Sequence, residues 1–117
     1  MTPFERANWV LLDTVSLSDL PDHGNFACGY AFRNGKTGEI LYIGGTGSFR
    51  RRMFGNYLGG VGGETTQRLH GYLFQEGFIA VVEVAWFPGE KESAMEDALK
   101  DEYKAAHDGN LPPWNRR

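Results

Sequence analysis

Hydrophobic residues fall in short runs whose periods differ along the chain. "FACGYAF" (26–32) and "EILYIG" (39–44) are aromatic or β-branched runs flanking "NGKTG", which predicts a hairpin with a five-residue loop. If Arg33 pairs with Glu39, Tyr30 lies directly opposite Tyr42, with Cβ atoms about 5 Å apart on one face. "FIAVVEVAWF" (78–87) is apolar on both faces except for Glu83, as expected of a central strand. Between these strands, "FRRRMFGNYL" predicts a helix capped by Thr46 or Ser48, with Phe49, Met53 and Asn56 on one face. Arg52 sits at the edge of that face, and Arg51 points away. "GGVGG" (59–63) has too few side chains to pack and predicts a mobile loop. "ETTQRLHGYLFQEG" predicts a second helix with Leu69, Tyr72 and Leu73 inward and Gly77 as its stop. "NWVLLDTVSL" fits a strand or a short arm, and "LPDHGN" (20–25) has turn chemistry.

The last helix, from about Glu90 to Asp108-Gly109, contains an anomaly. At about 100° per residue its apolar positions Ala94, Met95, Ala98, Leu99, Tyr103, Ala105 and Ala106 cover half of the wheel, with Glu102 in the middle. A carboxylate centred on an apolar stripe costs several kcal/mol unless it is neutralised, paired or bound to a metal. Glu96 lies at the stripe's edge, and Glu92 lies within it near the helix start.

Together these elements predict an α+β fold: a small antiparallel sheet of about three strands flanked by helices. The expected organisation is one domain over 1–117, with 1–25 an arm or extra strand and 26–115 the core. A chain of 117 residues with 41% hydrophobic content supports a single core. No apolar run approaches the roughly 20 residues of a membrane span, and "MTPFERANWV" lacks signal-peptide character, so an intracellular, cytoplasmic protein is expected. Cys28 is the single cysteine, which excludes an intramolecular disulfide and a cysteine zinc cluster. The net charge of −3 conceals an asymmetry. Residues 26–70 carry Arg33, Lys36, Arg50, Arg51, Arg52 and Arg68 against Glu39 and Glu64, whereas residues 90–102 are predominantly acidic. One region suits an anion and the other a cation.

A tyrosine hairpin, a helix edged by arginine, a later helical glutamate and a terminal asparagine together resemble the GIY-YIG nucleases. Tyr42-Ile43-Gly44 matches the second triplet of that family; the first survives as Cys28-Gly29-Tyr30, with its leading glycine lost. "YIGGTGSFRRRM" is similar to the segment that leads to the family's arginine, which places Arg52 there. "ALKDEYKAAHDGNLPPWN" resembles the family's ending, with Glu102 at the metal-binding glutamate and Asn115 at the closing asparagine. Glu96-Asp97-Ala98-Leu99 offers a competing register, and Glu102 is preferred for its short distance to Asn115 and for its place on the wheel. The spacing from Tyr30 to Tyr42 is one residue longer than is commonest in the family. Four residues after the arginine, members often carry histidine or tyrosine; this chain has Asn56, followed by Tyr57, with His70 a further substitute.

The resemblance implies metal-dependent endonucleolytic cleavage of DNA. Tyr30 would be the general base, Tyr42 a hydrogen-bond donor or proton relay, Arg52 the transition-state cation, Glu102 the metal ligand, and Asn115 part of the site. Asn56, Tyr57 and His70 are auxiliary candidates; Arg50, Arg51, Arg68 and Lys36 are candidate DNA contacts. A carboxylate site without cysteines suits Mg²⁺, with Mn²⁺ as the substitute. A phenol with a pKa of about 10 is a poor base at neutral pH, so the scheme requires a pKa lowered by nearby positive charge. Expected partners are DNA, with a protein partner or a homo-oligomer also open, and no membrane. Each residue also has a plainer reading. The tyrosines suit a cross-strand pair, His23 and His107 suit the surface, and Trp114 with Asn115 suits a tail anchor. Glu83 suits a sheet arginine, and Glu102 suits a buried pair with Arg68. The alternatives to an enzyme are a nuclease-like module that binds nucleic acid or protein without cutting, and a structural or inhibitory protein whose acidic surface meets a basic partner.

Overall fold

A computed structural model describes residues 2–14, 27–89 and 91–115; the predicted turn at 20–25, His23, Phe26 and Glu90 lie outside the described residues. Four antiparallel strands, β1 (Val10–Leu11), β2 (Cys28–Asn34), β3 (Ile40–Thr46) and β4 (Val82–Pro88), form one sheet in the order β1-β4-β2-β3. Among the described residues the count is four because the N-terminal segment supplies a two-residue strand on the far side of β4. β4, the run that is apolar on both faces, is interior, as its composition requires.

Strand alternation sorts the sheet residues into two cores. Cys28, Tyr30 and Phe32 of β2, with Val82 and Val84 of β4, join Phe49, Met53, Tyr57, Leu69, Leu73 and Trp114 on one face. Ala31, Ile43, Ala85 and Phe87 join Leu99 and Tyr103 on the other. The first face is covered by a helical segment that is π-wound over Arg51–Tyr57 and by α1 (Glu64–Phe74); the second carries α2 (Glu92–Ala106). Gly29 allows α2 to seat on β2: an added Cβ would stand 2.7 Å from Met95 Cγ and 3.2 Å from the Glu96 nitrogen.

The structure corrects four expectations. Tyr30 is opposite Gly44, and Phe32 is opposite Tyr42, so the register is displaced by two residues and the two tyrosines are diagonal neighbours on one face. A bulge between Phe32 and Arg33 accompanies the shift, and Arg33 pairs across β4 with Glu83 (Nε to Oε1 2.6 Å) rather than with Glu39. The segment after β3 is not regular α-helix. Leu58 N–H donates to Met53 O, five residues back, and the wider turn brings Tyr57 onto the buried face in place of Asn56. The "GGVGG" loop is pinned: Gly60 N–H donates to Asn56 O, the Asn56 amide donates to Val61 O, and Gln67 Nε2 donates to Gly60 O. In α2 the buried positions are Leu99 and Tyr103, while Ala94, Ala98, Ala105 and Ala106 are exposed, so Glu102 lies at the half-buried margin of a narrower stripe. Alanine has too little apolar surface to force a helix face inward.

Candidate active site

The face bearing Tyr30 holds a cluster of three phenols. Tyr30 is 1% exposed, and its ring crosses Gly44, whose missing side chain makes the space: an added Cβ there would be 2.5 Å from Tyr30 Oη and 2.9 Å from Tyr42 Cε2. Tyr30 and Tyr57 share a short hydroxyl–hydroxyl hydrogen bond, and the Tyr42 ring packs against both. The ring centroids of Tyr30, Tyr42 and Tyr57 are mutually 6.0–6.2 Å apart. Tyr42 is half-buried, so it is the member of the chain nearest solvent.

Arg52 supplies the positive charge. Its field favours the phenolate at both Tyr30 and Tyr57. Burial outweighs that field and, with the neighbouring phenols, pushes Tyr30 well above the ordinary tyrosine pKa. Tyr57 is raised as well, chiefly by burial. The expected lowering of the phenol pKa is therefore absent in this arrangement, because desolvation of a fully enclosed hydroxyl exceeds the help of one guanidinium. Cys28, on the same strand face, is pushed up to about 12 by burial and stays a thiol. Arg52 Nε is buried without a hydrogen-bond partner among the described residues.

Asn115 closes the edge of the sheet. Its Oδ1 accepts from Ile43 N–H (2.9 Å) and its Nδ2 donates to Ile43 O (2.8 Å), so the side-chain amide acts as one more peptide beside the central residue of Tyr42-Ile43-Gly44. The adjacent Trp114 is buried against Tyr72 and Phe78, and its carbonyl accepts from Arg68 Nη2 (2.9 Å). His70 Nδ1 lies 2.8 Å from Tyr57 O; a carbonyl only accepts, so this nitrogen carries the proton and the imidazole fixes the end of the Tyr57 turn. Arg51 and Lys36 are exposed, and Arg50 is half-buried.

The two candidate glutamates are both on α2, across the sheet from the phenols. Glu102 takes the Phe4 N–H at 3.3 Å and lines a cavity with Trp9 and Arg33; the structure does not bring it together with Tyr30, Tyr42 and Arg52. Nor does it pair with Arg68. Glu96 lies where α2 touches Gly29, the neighbour of Tyr30, and its carboxylate is held by Lys100 (2.6 Å). Among the described residues no group of three or more His, Cys, Asp or Glu side chains converges, and no helix is long and apolar enough to cross a membrane. Sequence reasoning placed Tyr57 only as an auxiliary; the five-residue step from Arg52 was its one signal, and the π-winding makes it central.

An α+β domain that joins paired strand tyrosines to a helix-borne arginine has the frame of a small nuclease domain. The chain belongs to the GIY-YIG family: the family's catalytic domain matches residues 26–110. That family is one of endonucleases that act on DNA and generally use divalent metals. No curated protein and no solved structure matches the chain.

Proposed function

We propose that this domain hydrolyses DNA phosphodiester bonds with the help of one divalent metal, Mg²⁺ or Mn²⁺. The observation that carries the reading is Arg52, a guanidinium whose buried Nε has no partner among the described residues and whose charge acts on a cluster of three phenols, two of them hydrogen-bonded to each other. A planar fork of donors matches phosphate oxygens, and in a partly dry site it stabilises the charge that grows on them. Tyr42, half-exposed, meets the phosphate and donates a hydrogen bond to it. When the cluster carries a phenolate, whose charge the Arg52 field favours at Tyr30 and Tyr57, it takes up a proton that enters beside Tyr42, so the buried tyrosine acts through its neighbours rather than by touching water. Exposed Arg51 and Lys36, with Arg50, hold the flanking backbone.

The donor set fits one hard ion bound by a single carboxylate, a mode Mg²⁺ accepts because it keeps several waters and takes phosphate oxygens. Glu96 is the better ligand. Like Glu102 it lies across the sheet from the phenols, but its turn of α2 touches Gly29, the neighbour of Tyr30, so that DNA held at that end of β2 would meet both, and its ion pair with Lys100 is about a quarter exposed, so releasing it costs about 1 kcal/mol or less. Glu102 already accepts the Phe4 N–H and lines a cavity that the Arg33 guanidinium also lines, a positive charge that disfavours a metal ion beside it. When bound, the ion supplies Lewis acidity and neutralises the leaving oxygen.

A second reading, a nucleic-acid-binding module that does not cut, is favoured by the enclosure and raised pKa of Tyr30. One experiment separates the two. Plasmid, branched and single-stranded DNA are incubated with and without Mg²⁺ or Mn²⁺, beside Glu96→Ala and Glu102→Ala. Cleavage that needs metal and is lost in Glu96→Ala supports the enzyme; a gel shift without cleavage in the wild type supports the module. Loss in Glu102→Ala alone would overturn the choice of Glu96.

A further inference from the structure

Glu102, the most conspicuous carboxylate in the sequence, is left without a role by the phenol site. It lines a cavity of about 300 Å³ together with Phe4, Trp9, Arg33, Tyr103 and His107. Flat surfaces dominate this lining. Phe4 and Trp9 are parallel at 6.4 Å, Tyr103 and His107 are stacked at 3.7 Å, and the Arg33 guanidinium lies 4.6 Å from the Trp9 ring centroid. Arg33 is committed to Glu83 only through Nε, and among the described residues no hydrogen bond engages its two terminal nitrogens. Among the described residues Glu102 accepts a single long bond, from Phe4 N–H, through one of its two oxygens.

The cavity therefore offers ring faces, an acceptor-only carboxylate and a donor-only guanidinium. An anionic group set against Glu102 is repelled, as is a cationic group set against Arg33. An aliphatic ligand would leave both charged groups unmet. A neutral planar heterocycle with two adjacent donors on one edge and two acceptors on another satisfies all three features. Among the nucleobases guanine has this pattern: N1–H and the 2-amino group match a carboxylate, and O6 with N7 matches an arginine fork. Adenine and cytosine each present one amino group beside a ring acceptor, which a carboxylate repels. We propose that this cavity, on the opposite face of the sheet from the phenols, binds an unpaired guanine base. The base stacks on the aromatic lining and is read by Glu102 and Arg33. The cavity's size is at the small end for such ligands and is enough for one base with part of its sugar.

The base could come from a free guanine nucleotide or from a single strand, and the test separates these sources without any cleavage. Calorimetry on the full chain compares guanosine, inosine and adenosine monophosphates, and then a short all-thymine strand with and without one central guanine. Guanosine monophosphate should bind about tenfold more tightly than adenosine monophosphate, with inosine monophosphate between them because it lacks the 2-amino group. Glu102→Gln, which keeps the shape and exchanges one acceptor for a donor, should abolish the preference. Trp9→Leu should weaken all three nucleotides while leaving their ranking. Guanine-dependent binding of the strand alone assigns the site to nucleic acid, and equal gains with the free nucleotide assign it to the base from either source. Equal affinity for guanosine and adenosine monophosphates, or a preference that survives Glu102→Gln, would overturn the proposal. Should Glu102→Gln fail to fold, the ranking of the three nucleotides on the wild type decides it.

Discussion

Gly44 is the point at which packing and the site meet, and replacing it by alanine tests the arrangement of the phenols directly. The new Cβ would stand 2.5 Å from Tyr30 Oη, 2.6 Å from Tyr30 Cζ and 2.9 Å from Tyr42 Cε2. None of these atoms is the free end of a flexible side chain, because Tyr30 is enclosed and tied to Tyr57. The ring must tilt, and its hydroxyl leaves the short hydrogen bond. Overpacking of this kind costs about 1–3 kcal/mol. Losing part of a buried hydrogen bond adds about 1 kcal/mol. A total of about 3 kcal/mol corresponds to a fall in Tm of roughly 12 °C for a domain of this length. Gly71→Ala is the internal control. It lies in α1, where the added Cβ meets only Gln75 Oε1 at 3.6 Å, so it should stabilise by about 0.5–1 kcal/mol. Both variants are measured by urea unfolding with m held comparable. If Gly44→Ala is neutral or stabilising, as Gly71→Ala should be, Tyr30 does not cross Gly44 and the phenol chain described above is wrong.

Four further outcomes follow from the same geometry. Arg52→Gln should lower any DNA cleavage by about a hundredfold or more while leaving Tm unchanged or slightly higher, because it removes a buried nitrogen that has no partner; a large loss of Tm would show that Arg52 is structural. Asn115→Ala removes both bonds to Ile43 and should cost about 1–3 kcal/mol in chemical denaturation, with a neutral result denying its role as the edge of the sheet. Tyr30 is held protonated in the folded state, so its contribution to stability is complete below the unfolded pKa of about 10 and is lost as pH rises toward the higher folded value. Stability should therefore fall above about pH 10, and Tyr30→Phe should flatten that fall; an equally steep loss in the variant would place the titrating group elsewhere. Cleavage, if carried by the phenol chain, should rise steadily toward alkaline pH, and a flat profile between about pH 6 and 10 would remove tyrosine from the proton transfer.

Much of the architecture was legible from local pattern alone. A run that is apolar on both sides can only be interior, and β4 is. Two aromatic runs around a glycine-containing turn make a hairpin, and a periodic acidic segment after a proline makes a helix. What local pattern could not settle was register. Tyr30 opposite Tyr42 and Tyr30 opposite Gly44 place every side chain on the same face, because a shift of two residues preserves alternation. The choice fell to the volume of a buried ring, which needs a glycine across from it, and to Glu83, a partner for Arg33 on a strand about fifty residues away.

The same division holds for the chemistry. Residue types and their order along the chain were enough to indicate the family, since tyrosine, arginine and glutamate come in sequence from β2, β3, the helical segment and α2. Which of them meet is a property of the packed layers. A helical wheel ranks positions by angle and counts alanine as apolar, whereas the sheet engages only the large side chains. Leu99 and Tyr103 therefore turn inward, and Glu102 is left at the margin beside Trp9 and Arg33. The π-turn carries Tyr57 to the phenols in place of Asn56, a change of one residue in helical phase that depends on how the turn packs over Tyr30 and Phe32. Local propensity acts between neighbours in the chain. The convergence of the phenols with Arg52, and the separation of Glu102 from them, arise from which face of the sheet each helix covers.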